Sequence, residues 1–127
     1  MATLKSFFLI LFFLFINQKY LYSEPISGNS VSLQILDKIT SRLENIEVKV
    51  GEYLIFDSLH IEIILCKKRP PEEIPENFVL MRINDKITNG NLKKIFQGWM
   101  ISSSPSVTPF EHPIYDIWVK GCNIDND

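Results

Sequence analysis

The sequence predicts an all-β fold, a single small antiparallel β-sandwich or barrel-like domain behind an N-terminal signal helix. Three observations predict it. After residue 30 the apolar residues recur with period two, the spacing that puts alternate side chains on one face of a strand. The chain carries 18 isoleucines against a single alanine, Ala2, and β-branching favours strands over helices. No window offers a capped helical stripe. Residues 31–43 come nearest, with Leu33, Leu36 and Ile39 at helical spacing, but Asp37 to Thr40 fit a strand entering a hairpin equally well, and a strand is expected there. At 127 residues the chain has room for one small domain, which excludes a large multidomain enzyme.

Taken in order, the first element is a leader, residues 1–23. Lys5 precedes an unbroken apolar run from Phe7 to Ile16, the charge-then-apolar order of a secretory signal peptide. As a helix the run spans about 15 Å, half of a roughly 30 Å bilayer core. Leu21, Tyr22 and Ser23 before Glu24 offer the best cleavage site, with Ser23 the last residue removed; an uncleaved leader serving as an inner-membrane anchor is the alternative. Phe7, Phe8, Phe12, Phe13 and Phe15 belong to this leader, so most of the nine phenylalanines say nothing about the core. Residues 24–30, with Pro25, Gly28 and Asn29, read as a flexible tether. The β domain is expected over 31–122, and 123–127 as a disordered tail.

Six or seven strands are expected within that domain. A strand from Val31 turns at Thr40 to Arg42, and Ile46, Val48 and Val50 alternate with Glu47 and Lys49 up to Gly51. Leu59, Ile61, Ile63 and Leu65 share one face of the next strand, and His60, Glu62, Ile64 and Cys66 the other. Val79, Met81 and Ile83 alternate with Leu80 and Arg82; Asn89, Gly90 and Asn91 then mark a hairpin into a strand from Leu92 to Ser102. Pro105, Pro109 and Pro113 keep the following segment irregular, with Phe110 as its anchor. Tyr115, Ile117 and Val119 form the last strand, with Asp116, Trp118 and Lys120 opposite.

All 15 acidic residues lie at or beyond Glu24, whereas Lys5 and Lys19 precede it, which leaves 15 acids against 11 bases. A net charge of about −4 argues against nucleic-acid binding by general phosphate attraction. Cys66 and Cys122, in an exported chain, read as a disulfide. Its loop of about 57 residues corresponds to roughly 4 kcal/mol in the chain-entropy account. The alternatives are a metal site built from Cys66, Cys122, His60 and His112, which lacks the paired short spacings of zinc ligands, and a nucleophilic cysteine beside His112.

Ser102, Ser103 and Ser104 with His112 and Asp116 supply the residue types of a hydrolase triad, but the serines run into Pro105 without the glycines of a nucleophile elbow. The stretch Lys67, Lys68, Arg69, Pro70, Pro71, Glu72, Glu73, Ile74, Pro75, Glu76 puts cations before carboxylates on a stiff loop. It reads either as a solvated crossover or as a docking loop presenting fixed charge. Trp99 beside Gly98, and Trp118, read as core aromatics or, alternatively, as an exposed aromatic patch.

Three blocks carry a resemblance. They are Leu36 to Thr40 with Val48, Val50 and Gly51; Cys66 to Glu73 with Pro75, Glu76 and Asn77; and Phe96 to Met100 through Ser103, Ser104 and Pro105 to Glu111, His112, Pro113, Ile114, Tyr115, Asp116, Ile117, Trp118 and Cys122. Together they resemble a family of small exported alphaproteobacterial proteins catalogued as a domain of unknown function, DUF2155. The resemblance implies export to the periplasm and one compact domain with both cysteines in place; it brings no activity, cofactor or partner. The chain departs from the family pattern at Val107, Thr108, Pro109 and Phe110.

The resulting expectation is a non-enzymatic periplasmic β domain that binds or helps assemble an envelope protein. Its partner-binding residues would be Lys67, Lys68, Arg69, Pro70, Pro71, Glu72, Glu73, Trp99, His112 and Asp116. No catalytic residue, metal or cofactor is expected, and membrane contact would come only through an uncleaved leader. The rival readings are a small hydrolase or transferase using His112, Asp116 and a serine or Glu73, and a ligand-binding barrel using Trp99 and Trp118.

Overall fold

The computed structural model of the chain describes residues 2–16 and 24–125. The expected cleavage site at Leu21, Tyr22 and Ser23 lies outside the described residues. Within the segment expected to be a leader, helix α1 (Ala2–Ile16) buries none of its side chains. Among the described residues no helix is long and apolar enough to cross a membrane.

Among the described residues eight strands follow: β1 (Ile26–Ser27), β2 (Ser30–Asp37), β3 (Arg42–Lys49), β4 (Tyr53–Phe56), β5 (Leu59–Lys68), β6 (Asn77–Lys86), β7 (Leu92–Ile101) and β8 (Tyr115–Asn123). The larger sheet has the order β1-β5-β6-β7, with β4 also paired to β5; the smaller has the order β3-β2-β8. The ladders are antiparallel, and the two sheets pack as a sandwich rather than closing into a barrel. Two of the eight, β1 and β4, are not among the strands placed by the sequence pattern. β4 pairs with the start of β5, and β1 lies within the segment expected to be a tether, where Ile26 sits opposite Lys68 and Ser27 opposite Lys67.

The period-two pattern is realised at the core. Val31, Leu33 and Ile35 of β2, with Ile117 and Val119 of β8, face Leu59, Ile61 and Ile63 of β5 and Val79, Met81 and Ile83 of β6, all buried. Full burial of each such side chain is worth about 1.5–3 kcal/mol, so this one layer dominates the stability of the domain. The β2–β3 hairpin is shaped by Asp37, whose carboxylate accepts the N–H groups of Ile39 and Thr40 at 2.9 and 3.1 Å. The Thr40 N–H above all holds the Asp37 carboxyl below its ordinary range. The β6–β7 hairpin turns at Gly90, whose φ of 85° falls in the left-handed region that glycine tolerates without steric cost.

One departure from strict alternation decides where the sulfur goes. The β5–β6 register shifts between Ile63 and Leu65, so Ile63 sits opposite Met81 and Leu65 opposite Leu80. Ile64 is the extra residue of a bulge, and an extra residue exchanges the faces of everything beyond it. Leu65, expected inside with Leu59, Ile61 and Ile63, is 42% exposed, while Cys66, expected on the opposite face, is 2% exposed.

Residues 102–114 form an irregular crossover from the end of β7 to the start of β8. The Thr108 hydroxyl donates to the Trp99 carbonyl. Phe110, the expected anchor, is buried with its ring edge-to-face against Phe96 at 6.2 Å.

Candidate functional site

The two ends of β6 carry separate polar clusters. At the first end Cys66 and Cys122 form a disulfide joining the two sheets, with Cα atoms 5.8 Å apart. Gly28 lies directly over it. A Cβ on Gly28 would collide with Cys122 Sγ and would stand 2.7 Å from Cys66 Sγ and 2.8 Å from the Asn123 carbonyl. Beside it the Asn77 side-chain carbonyl accepts the Cys122 N–H at 3.0 Å, and its amide donates to Ser102 Oγ at 3.1 Å.

Glu76 completes this end. Its buried carboxylate accepts the N–H groups of Asn77 and Ser103, each at 3.1 Å, and the Ser102 hydroxyl at 2.8 Å. The Ser103 hydroxyl donates to its second oxygen. Burial alone would raise the Glu76 pKa, but the Ser103 and Ser102 hydroxyls and the two N–H groups outweigh it and hold the carboxyl at about 2. The loop that Glu76 ends is folded on itself: Arg69 N–H donates to the Glu76 carbonyl at 3.1 Å and Glu73 N–H to the Pro70 carbonyl at 3.0 Å. Lys67 and Lys68 belong to β5 rather than to the loop, and Pro70 is buried, while Pro71, Glu72 and Glu73 are exposed.

At the other end His112 is buried. Its Nδ1 accepts the N–H groups of Ile114 and Tyr115 at 3.0 and 3.3 Å, so the ring proton sits on Nε2, which donates to Asp85 Oδ2 at 2.8 Å. Burial opposes ionisation of Asp85, yet the Ser58 and His112 hydrogen bonds keep its pKa below the ordinary value. Tyr115 donates to Asp57 Oδ2 at 2.8 Å, and burial together with that carboxylate pushes the phenol up to about 12. Lys38 Nζ donates to the His112 carbonyl at 2.6 Å and lies 3.6 Å from Asp116 Oδ1.

These positions correct several expectations. Ser102 and Ser103 serve Glu76 at one end of β6, whereas His112 serves Asp85 at the other. Nine residues at about 3.3 Å each place the clusters roughly 30 Å apart. The triad residues are therefore not brought together, and both nitrogens of His112 are engaged internally. His112, expected to face a partner, is instead a core residue holding the start of β8. The cysteines are bound to each other, so neither is a thiolate for a metal or a nucleophile. His60 is half-exposed on the outer side of β5, opposite Asn84.

Neither tryptophan is in the core. Trp99 is 40% exposed on the outer face of the larger sheet, where it pairs with Leu80, and Trp118 is half-buried on the outer face of the smaller sheet opposite Gln34. Facing away from each other, they cannot line a common cavity. A shallow concavity of about 310 Å³ on the larger sheet is lined by Tyr53, Ile55, His60, Glu62, Asn84 and Leu92 instead.

The outer face of the larger sheet is where the polar half of the alternation fails. Exposed Leu65 and Trp99 stand on either side of half-buried Leu80 across β5, β6 and β7, and the three form an apolar row on the outer face. Phe78 and Ile101 extend it on one side, with the Arg69 guanidinium 5.8 Å from the Phe78 ring centre and Lys67 opposite Phe78. On the other side Arg82 pairs with Glu62 at 2.9 Å, and Lys94 Nζ donates to Gln97 at 3.1 Å. The solvated face of an antiparallel sheet is ordinarily polar, so this row is a feature that packing of the domain itself leaves without a role. Sequence reasoning singled out Trp99 but not Leu65 or Leu80. Leu80 was legible from its alternation with Val79 and Met81; Leu65 was hidden by the bulge.

A family described as Uncharacterized protein conserved in bacteria (DUF2155) matches residues 31–122. The chain is also similar to Uncharacterized protein RP359 of Rickettsia prowazekii (strain Madrid E), with 40% identity over 87 residues, which is 68% of this chain and 56% of that relative. The match thus spans little more than half the length of the relative. No solved structure matches. The family match begins at Val31 in β2, ends at Cys122 in β8, and so takes in both cysteines, both polar clusters and the apolar row; the chain belongs to the DUF2155 family.

Proposed function

We propose that the chain is an exported, non-enzymatic interaction module that docks an envelope protein on the outer face of its larger sheet. The observation that carries this reading is the solvent-facing row Leu65, Leu80, Trp99. A small domain has little reason to leave three apolar side chains aligned outside its core unless something covers them. The disulfide, Gly28 and the Glu76 cluster support the reading because they hold one border of that face rigid, and a rigid surface loses less entropy on binding. Lys67, Arg69 and Trp99 belong to the docking face, Pro70, Pro71, Glu72 and Glu73 to the loop beside it, and His112 to the core. Export rests on the charge-then-apolar leader and suits a domain closed by a disulfide.

The test is site-specific photocrosslinking in the native cell. A photoreactive residue at position 80 or 99 should trap one reproducible envelope protein, and the same residue at position 34 or 45, on the outer face of the smaller sheet, should not. Equal trapping from both faces, or none from either, would sink the proposal.

A further inference from the structure

Resting on that docking reading, we infer that the occupant of the face is an acidic amphipathic helix lying across the strands. The spacing of the row selects a helix. Neighbouring strands are about 4.8 Å apart, so Leu65, Leu80 and Trp99 form a line with that step running perpendicular to β5, β6 and β7. A helix presents apolar residues i, i+3 or i+4, and i+7 along one face with a mean axial step of about 5.3 Å. Three successive positions of a helix stripe therefore seat against the three side chains of the row. An added strand has a same-face step of about 6.7 Å and needs a free backbone edge rather than a sheet face.

The charge around the row selects acidity. Lys67 and Arg69 flank it on one side, Arg82 and Lys94 on the other, and Glu62, paired with Arg82, is the carboxylate on these rows of the sheet. This cationic frame occurs in a chain whose formal net charge is −2, so it reflects local placement rather than composition. Carboxylates on both shoulders of an apolar stripe would meet it, which steers the encounter and fixes the orientation of the bound helix.

The experiment uses the full chain carrying Trp118→Phe, which leaves Trp99 as the sole tryptophan. Three probes are titrated: a synthetic peptide of about 18 residues, roughly five helical turns, with leucines at i, i+3/i+4 and i+7 flanked by glutamates; the same peptide with lysines for the glutamates; and vesicles of anionic phospholipid. The acidic peptide should give a saturable blue shift of Trp99 emission that weakens with added salt, and the lysine peptide should bind at least tenfold more weakly. Leu80→Ser and, separately, Lys67→Glu with Lys94→Glu should each weaken the acidic peptide about tenfold, while Leu36→Ser on the other sheet leaves it unchanged. Far-UV circular dichroism confirms that each variant is folded. No saturable shift, equal binding of both peptides, or a shift with vesicles alone would overturn the inference. A protein trapped from position 80 with a silent acidic peptide would overturn the helix assignment and leave the docking reading standing.

Discussion

Gly28 and Cys122 approach so closely that a methyl group on the glycine would collide with the sulfur. β1 can pair with β5 only because residue 28 has no side chain. Gly28→Ala should force β1 off β5 or strain the disulfide, at about 1–3 kcal/mol, the usual cost of overpacking a filled site. The checks are urea denaturation and amide exchange at Gly28, whose N–H donates to the Cys66 carbonyl at 3.0 Å. Unchanged stability and protection would show that the chain entering the domain is not held by this contact.

Removing the disulfide by Cys66→Ala with Cys122→Ala should lower unfolding free energy by about 2–4 kcal/mol. Mass shift on alkylation with and without reductant measures the bond itself, and chemical denaturation measures its contribution.

Glu76 makes the fold acid-sensitive in a defined window. Its folded pKa is about 2 against an ordinary 4.5, so its contribution is present above pH 4.5 and is lost as pH falls from there toward 2. The difference corresponds to at most about 3 kcal/mol. Glu76→Gln should destabilise the domain at pH 7 and flatten this part of the acid limb, which denaturation at pH 7, 4.5 and 2.5 would show.

His112 and Asp85 are a structural pair. His112→Phe leaves the Ile114 and Tyr115 N–H groups without their acceptor and sets Asp85 against an apolar ring, a loss of about 2–4 kcal/mol. Asp85→Asn keeps an oxygen for the Nε2 proton and should cost about 1 kcal/mol or less. Equal losses in the two variants would contradict the assigned roles.

Burial ranks Met81 above the larger Trp99. Met81→Ala should cost about 2–5 kcal/mol, and Trp99→Ala about 1 kcal/mol or less despite removing more atoms. Acrylamide should quench Trp99 readily. Strong destabilisation by Trp99→Ala would mean that its ring belongs to the core after all.

Most of the fold was legible because strand alternation reports burial directly. Val31, Leu33 and Ile35, Leu59, Ile61 and Ile63, and Ile117 and Val119 all face the core as their spacing implies. Alternation also set Trp118 opposite Ile117, and its outward position follows that pattern rather than the tendency of tryptophan to be buried in small domains. What was not legible depended on contacts distant in sequence. The two-residue β1 exists because β5 offers it an edge, and nothing in Ile26 or Ser27 reports that. His112 and Asp85 are 27 positions apart, and the serines and Glu76 come from different loops, so both polar clusters appear only once the β6–β7 hairpin and the crossover are in place. Lys67 and Lys68 looked like part of the proline loop because charge masked a strand that continues through them.

The bulge at Ile64 sets the partner that the Cys66 sulfur can reach. Were Ile64 instead paired in register opposite Leu80, alternation would be unbroken, Leu65 would turn to the interior opposite Val79 and the sulfur would turn toward solvent. Cys122 would keep its inward position, and oxidation would then join one molecule to another instead of closing each upon itself. One unpaired isoleucine thus separates a bond closed within one chain from a sulfur open to covalent cross-linking between chains.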